Sequence, residues 1–331
     1  PRVTVGRVNC KQAACGKTVC QCRPCAPVTA RKPSNFVLSA CKAAFPTDFF
    51  ALIKDVLMPL VLITGCSSGI GRALADAFKQ AGYEVWATAR KTADVAQLRA
   101  DGFVAVQLDV NDSLEIDRLS ARLKQHGKGL DVLINNAGYG AMGPLLDGGV
   151  ADLHMQFQTN VFSVVGLTQA LFEPLRSNRG LVVNIGSVSG VLVTPFAGAY
   201  CASKAAVHAL SEAMRMELAP FGVRVMEVQP GAIDTCFAKN ASAQAEVHIG
   251  QDSPWWPMRE GIRARAKASQ DNPTPVSAFA NAVFKATQKA RPPALLRYGN
   301  GSRALPLLAA LLPRTLLQKI LMKRFGLNTP A

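Results

Sequence analysis

No acidic residue precedes Asp48 in this 331-residue chain, and no apolar run reaches the roughly 20 residues that a membrane-crossing helix needs. The start also lacks the apolar h-region of a secretory leader. Histidine is scarce. His126, His154, His208 and His248 show no metal-ligand spacing, so zinc chemistry has no footing in the body of the chain. Cysteine nearly vanishes after Cys41. Only Cys66, Cys201 and Cys236 follow, scattered as free thiols of a reducing compartment are. The expected setting is therefore cytoplasmic. Acidic side chains number 22 against 37 Lys and Arg, a net charge of +15 that invites a nucleic-acid reading. The excess is local. Residues 1–57 hold nine of the basic residues and two of the acidic ones, which is +7, and the other 274 residues carry +8. Beyond residue 57 the charge is ordinary and no aromatic–basic platform for nucleic acid appears.

What is present is ample apolar content, 49% of the chain, arranged with a regular alternation from Pro59 onward. "PLVLITG" reads as a strand buried on both faces, and "GIGRALADAFKQAG" as the helix after it, stopped by Gly82. Strand patterns recur at "YEVWATA", "FVAVQLDV", "LDVLINNAG", "GLVVNIGS", "VRVMEVQPG" and "ALLRY". Helices are expected near 93–100, 112–125, 149–176 and over "AYCASKAAVHALSEAMRMELAPFG". Such alternation implies an α/β fold: one doubly wound domain over about 58–300, with a parallel sheet and helices on both faces. The stretch 236–275 lacks strand signals and reads as an excursion from the sheet.

Three local patterns carry chemistry. Thr64–Gly71, "TGCSSGIG", joins the first strand to its helix. Glycines there let the backbone approach a pyrophosphate at a helix N-terminus. Arg90 ends the second strand, where an NAD-binding protein usually places an acid for the ribose 2′-OH; a guanidinium suits a 2′-phosphate, so NADP(H) is favoured. Tyr200 and Lys204 stand four apart on one helix face, and Ser187 closes a strand thirteen residues earlier. A nearby ammonium lowers a phenol's pKa and makes it a usable proton donor or acceptor.

Together these residues resemble the short-chain dehydrogenase/reductase family, a Rossmann-type fold. The likeness spans about 58–300 and includes Asp109, Asn135–Gly138, Asn160 and Pro230-Gly231 with Thr235, all in family order. "TGCSSGIG" with "ATAR" is similar to the branch of 17β-hydroxysteroid dehydrogenases, retinol dehydrogenases and acyl-dihydroxyacetone-phosphate reductases. The resemblance implies that Tyr200 moves the proton and Ser187 steadies the substrate oxygen. It implies that Lys204 holds the nicotinamide ribose and lowers the Tyr200 pKa, and that Asn160 keeps a helix turn open for a water relay. The cofactor set it implies is Gly65, Ser67, Ser68, Gly69, Ile70, Gly71, Arg90, Asp109, Asn136, Ala137, Gly138, Tyr200, Lys204, Pro230, Gly231, Ile233 and Thr235. It also implies a homodimer or homotetramer through the helices carrying Asn160 and Tyr200. The rival is a non-catalytic NADP-binding sensor or scaffold, which would have no chemical need for the Asn/Ser/Tyr/Lys set.

Three stretches stay open. Trp255 and Trp256 suit either an apolar substrate or the packing of the excursion onto the body. The tail over 301–331 reads as a helix docked beside the substrate cleft or as a basic amphipathic helix on an anionic membrane. Cys15, Cys20, Cys22 and Cys25 lie in a basic extension, 1–57, which is expected to stand outside the fold; a targeting segment and a metal or redox site are the alternatives.

Overall fold

Strands with apolar residues on both faces have no solvent side and must be covered twice. That is what the computed structural model, which describes residues 58–328, displays. The 1–57 extension lies outside the described residues. In chain order the elements are β1 (Leu60–Ile63), α1 (Gly69–Gln80), β2 (Glu84–Ala89), α2 (Thr92–Ala100), β3 (Val104–Gln107), α3 (Ser113–His126), β4 (Val132–Asn135), α4 (Leu145–Phe157), α5 (Ser163–Ala170), α6 (Phe172–Asn178), β5 (Leu181–Ile185), α7 (Gly198–Glu217), β6 (Arg224–Pro230), α8 (Phe237–His248), α9 (Arg259–Lys267), α10 (Val276–Thr287), β7 (Leu295–Tyr298), α11 (Ala304–Leu311) and α12 (Arg314–Arg324).

The seven strands form one parallel sheet in the order β3-β2-β1-β4-β5-β6-β7. Strand order reverses between β1 and β4, and ligands bind at such switch points beyond the carboxyl ends of strands. Alternation along β1 divides the core. Val61 and Ile63 face Leu74 and Phe78 of α1 and Phe279 and Val283 of α10. Leu60 and Leu62 belong to the opposite layer, with Leu119 and Leu123 of α3, Leu167 of α5 and Val207 of α7.

The single helix expected over 149–176 is instead α4, a π-helical turn at Gln158–Phe162, α5 and α6. Gly149, at φ 58°, kinks α4. A one-residue insertion in the helical ladder hardly disturbs apolar periodicity, so the pattern does not register it. Helix α10 has no counterpart in the sequence reading, although Phe279, Ala280, Val283 and Ala286 give it a buried stripe.

The excursion is helical. Helices α8 and α9 enclose a third apolar cluster with Met142, Phe196, Tyr200, Ile262 and Phe325. Trp255 packs against that cluster and Trp256 lies under the Arg259 guanidinium, 4.7 Å from its ring centroid. The tail docks on the same cluster through Leu321, Phe325 and Leu327, and Arg324 pairs with Asp271 at 3.0 Å. Its other side leaves Leu307, Leu311, Leu316 and Ile320 exposed. Among the described residues no helix is long and apolar enough to cross a membrane.

Candidate active site

The loop after β1 begins with Gly65 at φ 71° and enters α1 through Gly69 at φ 58°, backbone conformations that glycine adopts without strain. A side chain at Gly71 would collide with Gly65 O and Asn136 Nδ2, so this turn of helix lies directly on the loop. Ser68 caps α1 without a side-chain hydrogen bond, and no acid occupies the first turn. The N–H groups and the positive dipole end of α1 are therefore left for an anion.

Thr64 ties this loop to the one after β4. Its Oγ1 accepts from the N–H groups of Asn136 (3.0 Å) and Ala137 (2.9 Å), while Asn136 Nδ2 donates to Thr64 O at 2.8 Å. Arg90 is exposed at the end of β2, and no ion pair among the described residues includes it. Asp109 accepts from the Asn111 N–H at 2.9 Å just beyond β3. All these loops open into one cleft of about 610 Å³, which Pro230, Gly231, Ile233 and Thr235 close from the β6 side.

Ser187, Tyr200 and Lys204 line the same cleft, and all three are buried. Ser187 Oγ caps a short 3₁₀ turn by accepting from the Ser189 N–H at 3.1 Å. It is also the hydrogen-bond partner of the Tyr200 phenol. Burial raises the phenol above its ordinary pKa, while the Ser187 bond and the Arg265 charge pull it back. Lys204 Nζ donates to Ile185 O at 2.7 Å and lies 6.0 Å from the Tyr200 ring centroid. Burial lowers the lysine to about 8. Arg265 is thus a second cation near the phenol, beside the Lys204 that the sequence points to.

Asn160 stands behind the cleft rather than in its wall. Its Oδ1 accepts from the Tyr139 N–H (3.1 Å), and its Nδ2 donates to Tyr139 O (3.0 Å) and Ser203 Oγ (3.1 Å). It sits in the π-helical turn and ties the loop after β4 to α7, the helix of Tyr200.

The model of the short chain dehydrogenase family matches residues 59–246. The chain belongs to this family. A short-chain dehydrogenase of Penicillium ochrochloron is 39% identical over 63% of this chain and 77% of its own length. An NADPH-dependent 1-acyldihydroxyacetone phosphate reductase of Saccharomyces cerevisiae is 31% identical over 81% of this chain and 92% of its own. A short chain dehydrogenase of Burkholderia cenocepacia, solved in complex with NADP, superposes with a TM-score of 0.62 at 25% identity, covering 82% of this chain and 98% of its own. The protein is therefore an oxidoreductase with a nucleotide-binding Rossmann fold, and its family binds a nicotinamide cofactor.

The cleft of this family member fits such a cofactor on its own evidence. The close-packed Gly71 and the uncapped α1 terminus offer backbone to a pyrophosphate, at the switch point where a dinucleotide lies. The sequence points to the excursion and the tail beside the cleft without naming Phe237, Arg265, Ser269, Leu321 and Phe325, which line it there; Trp255 and Trp256 are not among the lining residues. Ile262, Arg265 and Ala266 share the buried stripe of α9, so a charge on an apolar stripe was the available signal.

A second buried group supports Ser187 from below. The Ser187 N–H donates to His208 Nε2 at 3.4 Å, which requires that nitrogen to be unprotonated. Burial, with Lys204 and Arg297 nearby, lowers His208 from 6.5 to about 4. Between those values the unfolded chain takes up the proton first, so this residue's contribution to stability is lost as pH falls from about 6.5 through about 4. Glu227, 3.3 Å from His208, is raised by burial and acts with the opposite sign. His208→Gln should therefore narrow the gap between urea midpoints at pH 7 and pH 4.5. An unchanged gap would show that His208 does not titrate in this way.

Proposed function

We propose that this protein transfers hydride between NADP(H) and a carbonyl/alcohol pair on an apolar substrate, of steroid, retinoid or lipid-like character, with Tyr200 as general acid and base. The observation that carries the reading is the burial of Tyr200 in the cleft lining, with its phenol on Ser187 and Lys204 one helical turn away. When bound, the cofactor supplies or accepts the hydride. In reduction Ser187 donates a hydrogen bond to the substrate oxygen, and Tyr200 gives it a proton as negative charge develops. Lys204, anchored on Ile185 O, holds the nicotinamide ribose hydroxyls. Arg90 takes the 2′-phosphate, and the Gly65–Gly71 loop takes the pyrophosphate. The apolar side chains of Leu192, Phe237, Leu305 and Phe325 support a water-poor substrate site.

The test is NADPH consumption, followed optically, over a panel of apolar ketones and aldehydes. Turnover of at least one class is expected, and none with any member would sink the reading. A chain beginning at Met58 should fold and turn over at the full rate, because the residues proposed above for catalysis and cofactor binding all lie beyond it. Loss of activity, or of a bound metal, in that shorter chain would return chemistry to the cysteines of 1–57. Exposed Phe162 and Val165 beside the π turn support pairing of subunits through this face. Exposed leucines among Arg303, Arg314 and Lys319 support contact of the tail with anionic lipid.

A further inference from the structure

Arg265 is a charge buried without a counter-charge. Its residue is 7% exposed, yet no ion pair among the described residues includes it. Nε donates to Thr194 Oγ1 at 2.5 Å, and the Cys201 thiol is its other protein partner. Neither partner is a carboxylate. Two neighbouring arginines are paired with carboxylates. Arg263, two residues earlier, is bound to Glu246 and Glu260, and Arg324 is bound to Asp271. A guanidinium has five N–H donors, and removing it from water is costly unless an anion meets it. Four residues on, Ser269 Oγ is buried with no hydrogen-bond partner among the described residues. Both residues line the cleft that holds Ser187 and Tyr200, as do apolar Leu321 and Phe325 from the tail. Arg265 is close enough to Tyr200 for its charge to act on the phenol.

We propose that Arg265, with Ser269, recognises an anionic group, carboxylate or phosphate, on a carbonyl substrate whose remainder is apolar. This rests on the reading of the cleft as a carbonyl-reduction site. The anion completes the guanidinium's hydrogen bonds and draws the carbonyl toward Tyr200, and the hydrocarbon lies along Leu321 and Phe325.

The direct test is binding of dodecanoate, dodecyl phosphate and 1-dodecanol to the full chain by calorimetry. NADP+ is kept saturating so that no probe takes the phosphate loop. At least one anion should bind about 10- to 100-fold more tightly than the alcohol. Tighter dodecanoate assigns a carboxylate, and tighter dodecyl phosphate assigns a phosphate. Equal affinity for all three overturns the proposal. Arg265→Met should collapse the ratio of anion to alcohol affinity, and Arg265→Lys should restore part of it. An equal loss for all three probes would mean that Arg265 acts only through packing or through Tyr200, and would also overturn it. Ser269→Asp gives Arg265 an internal counter-charge and should abolish the anion preference while keeping the arginine. Binding is read without turnover. A failure of every ketone to consume NADPH therefore strikes the proposed reaction, whereas turnover with no preference for anions strikes this inference alone.

Discussion

Tyr200→Phe should bind NADPH normally and lose about 10²- to 10⁴-fold in kcat, the usual contribution of a positioned general acid. The change removes one oxygen and little else. The phenyl ring keeps its place 5.5 Å from the Phe237 ring and within the third apolar cluster. Ser187 keeps its bond from the Ser189 N–H, so the turn that positions it does not lose its cap. Stopped-flow single turnover separates chemistry from binding, and fluorescence titration of NADPH checks that the cleft is intact. A kcat within tenfold of the wild type would mean that another group protonates the product, and the assignment of Tyr200 would fall. A parallel loss of NADPH affinity would point to structural damage instead.

Arg90→Asp should invert the choice of cofactor. Arg90 is exposed at the carboxyl end of β2, and no carboxylate among the described residues pairs with it, so its guanidinium is available to a 2′-phosphate. Hydrogen bonds to charged groups contribute about 1.5–3 kcal/mol, and the introduced carboxylate adds repulsion. The affinity for NADPH should fall about 100-fold, while NADH, whose 2′-OH an Asp can hold, should lose little or gain. Titration of both nucleotides against both proteins reads the exchange. Equal losses for the two would refute the role given to Arg90.

Much of this site is legible because it is local in sequence. Gly65, Gly69 and Gly71 read as a phosphate loop since a strand precedes them and a helix follows, and the β1–α1 turn has that form. Tyr200 and Lys204 share a face because α7 is continuous from Gly198 to Glu217. What stayed hidden depends on contacts across the chain. Arg265 has meaning only once α9 is folded against Thr194 and Cys201, 71 residues away in the first case. The role of Asn160 depends on an insertion in the helical ladder that periodicity does not record. Of the two readings the sequence leaves open for the tryptophan pair, the packing one fits the structure: Trp255 lies against the third cluster and Trp256 under Arg259, while Phe237 and Phe325 line the cleft.

A side chain at Gly261 would strike Phe325 O, so the backbone of α9 rests against the tail at the point where Leu321, Arg324 and Phe325 complete the cleft. On the proposed function, reactivity and taste are therefore written in different stretches of the polymer. The trio proposed to handle the proton lies before residue 205, and the surface proposed to choose its guest comes from two later segments that meet at that glycine. Exchange of α8–α9 together with α12 between two family members would carry the preference across as one cassette, and exchange of either piece alone would break the seam.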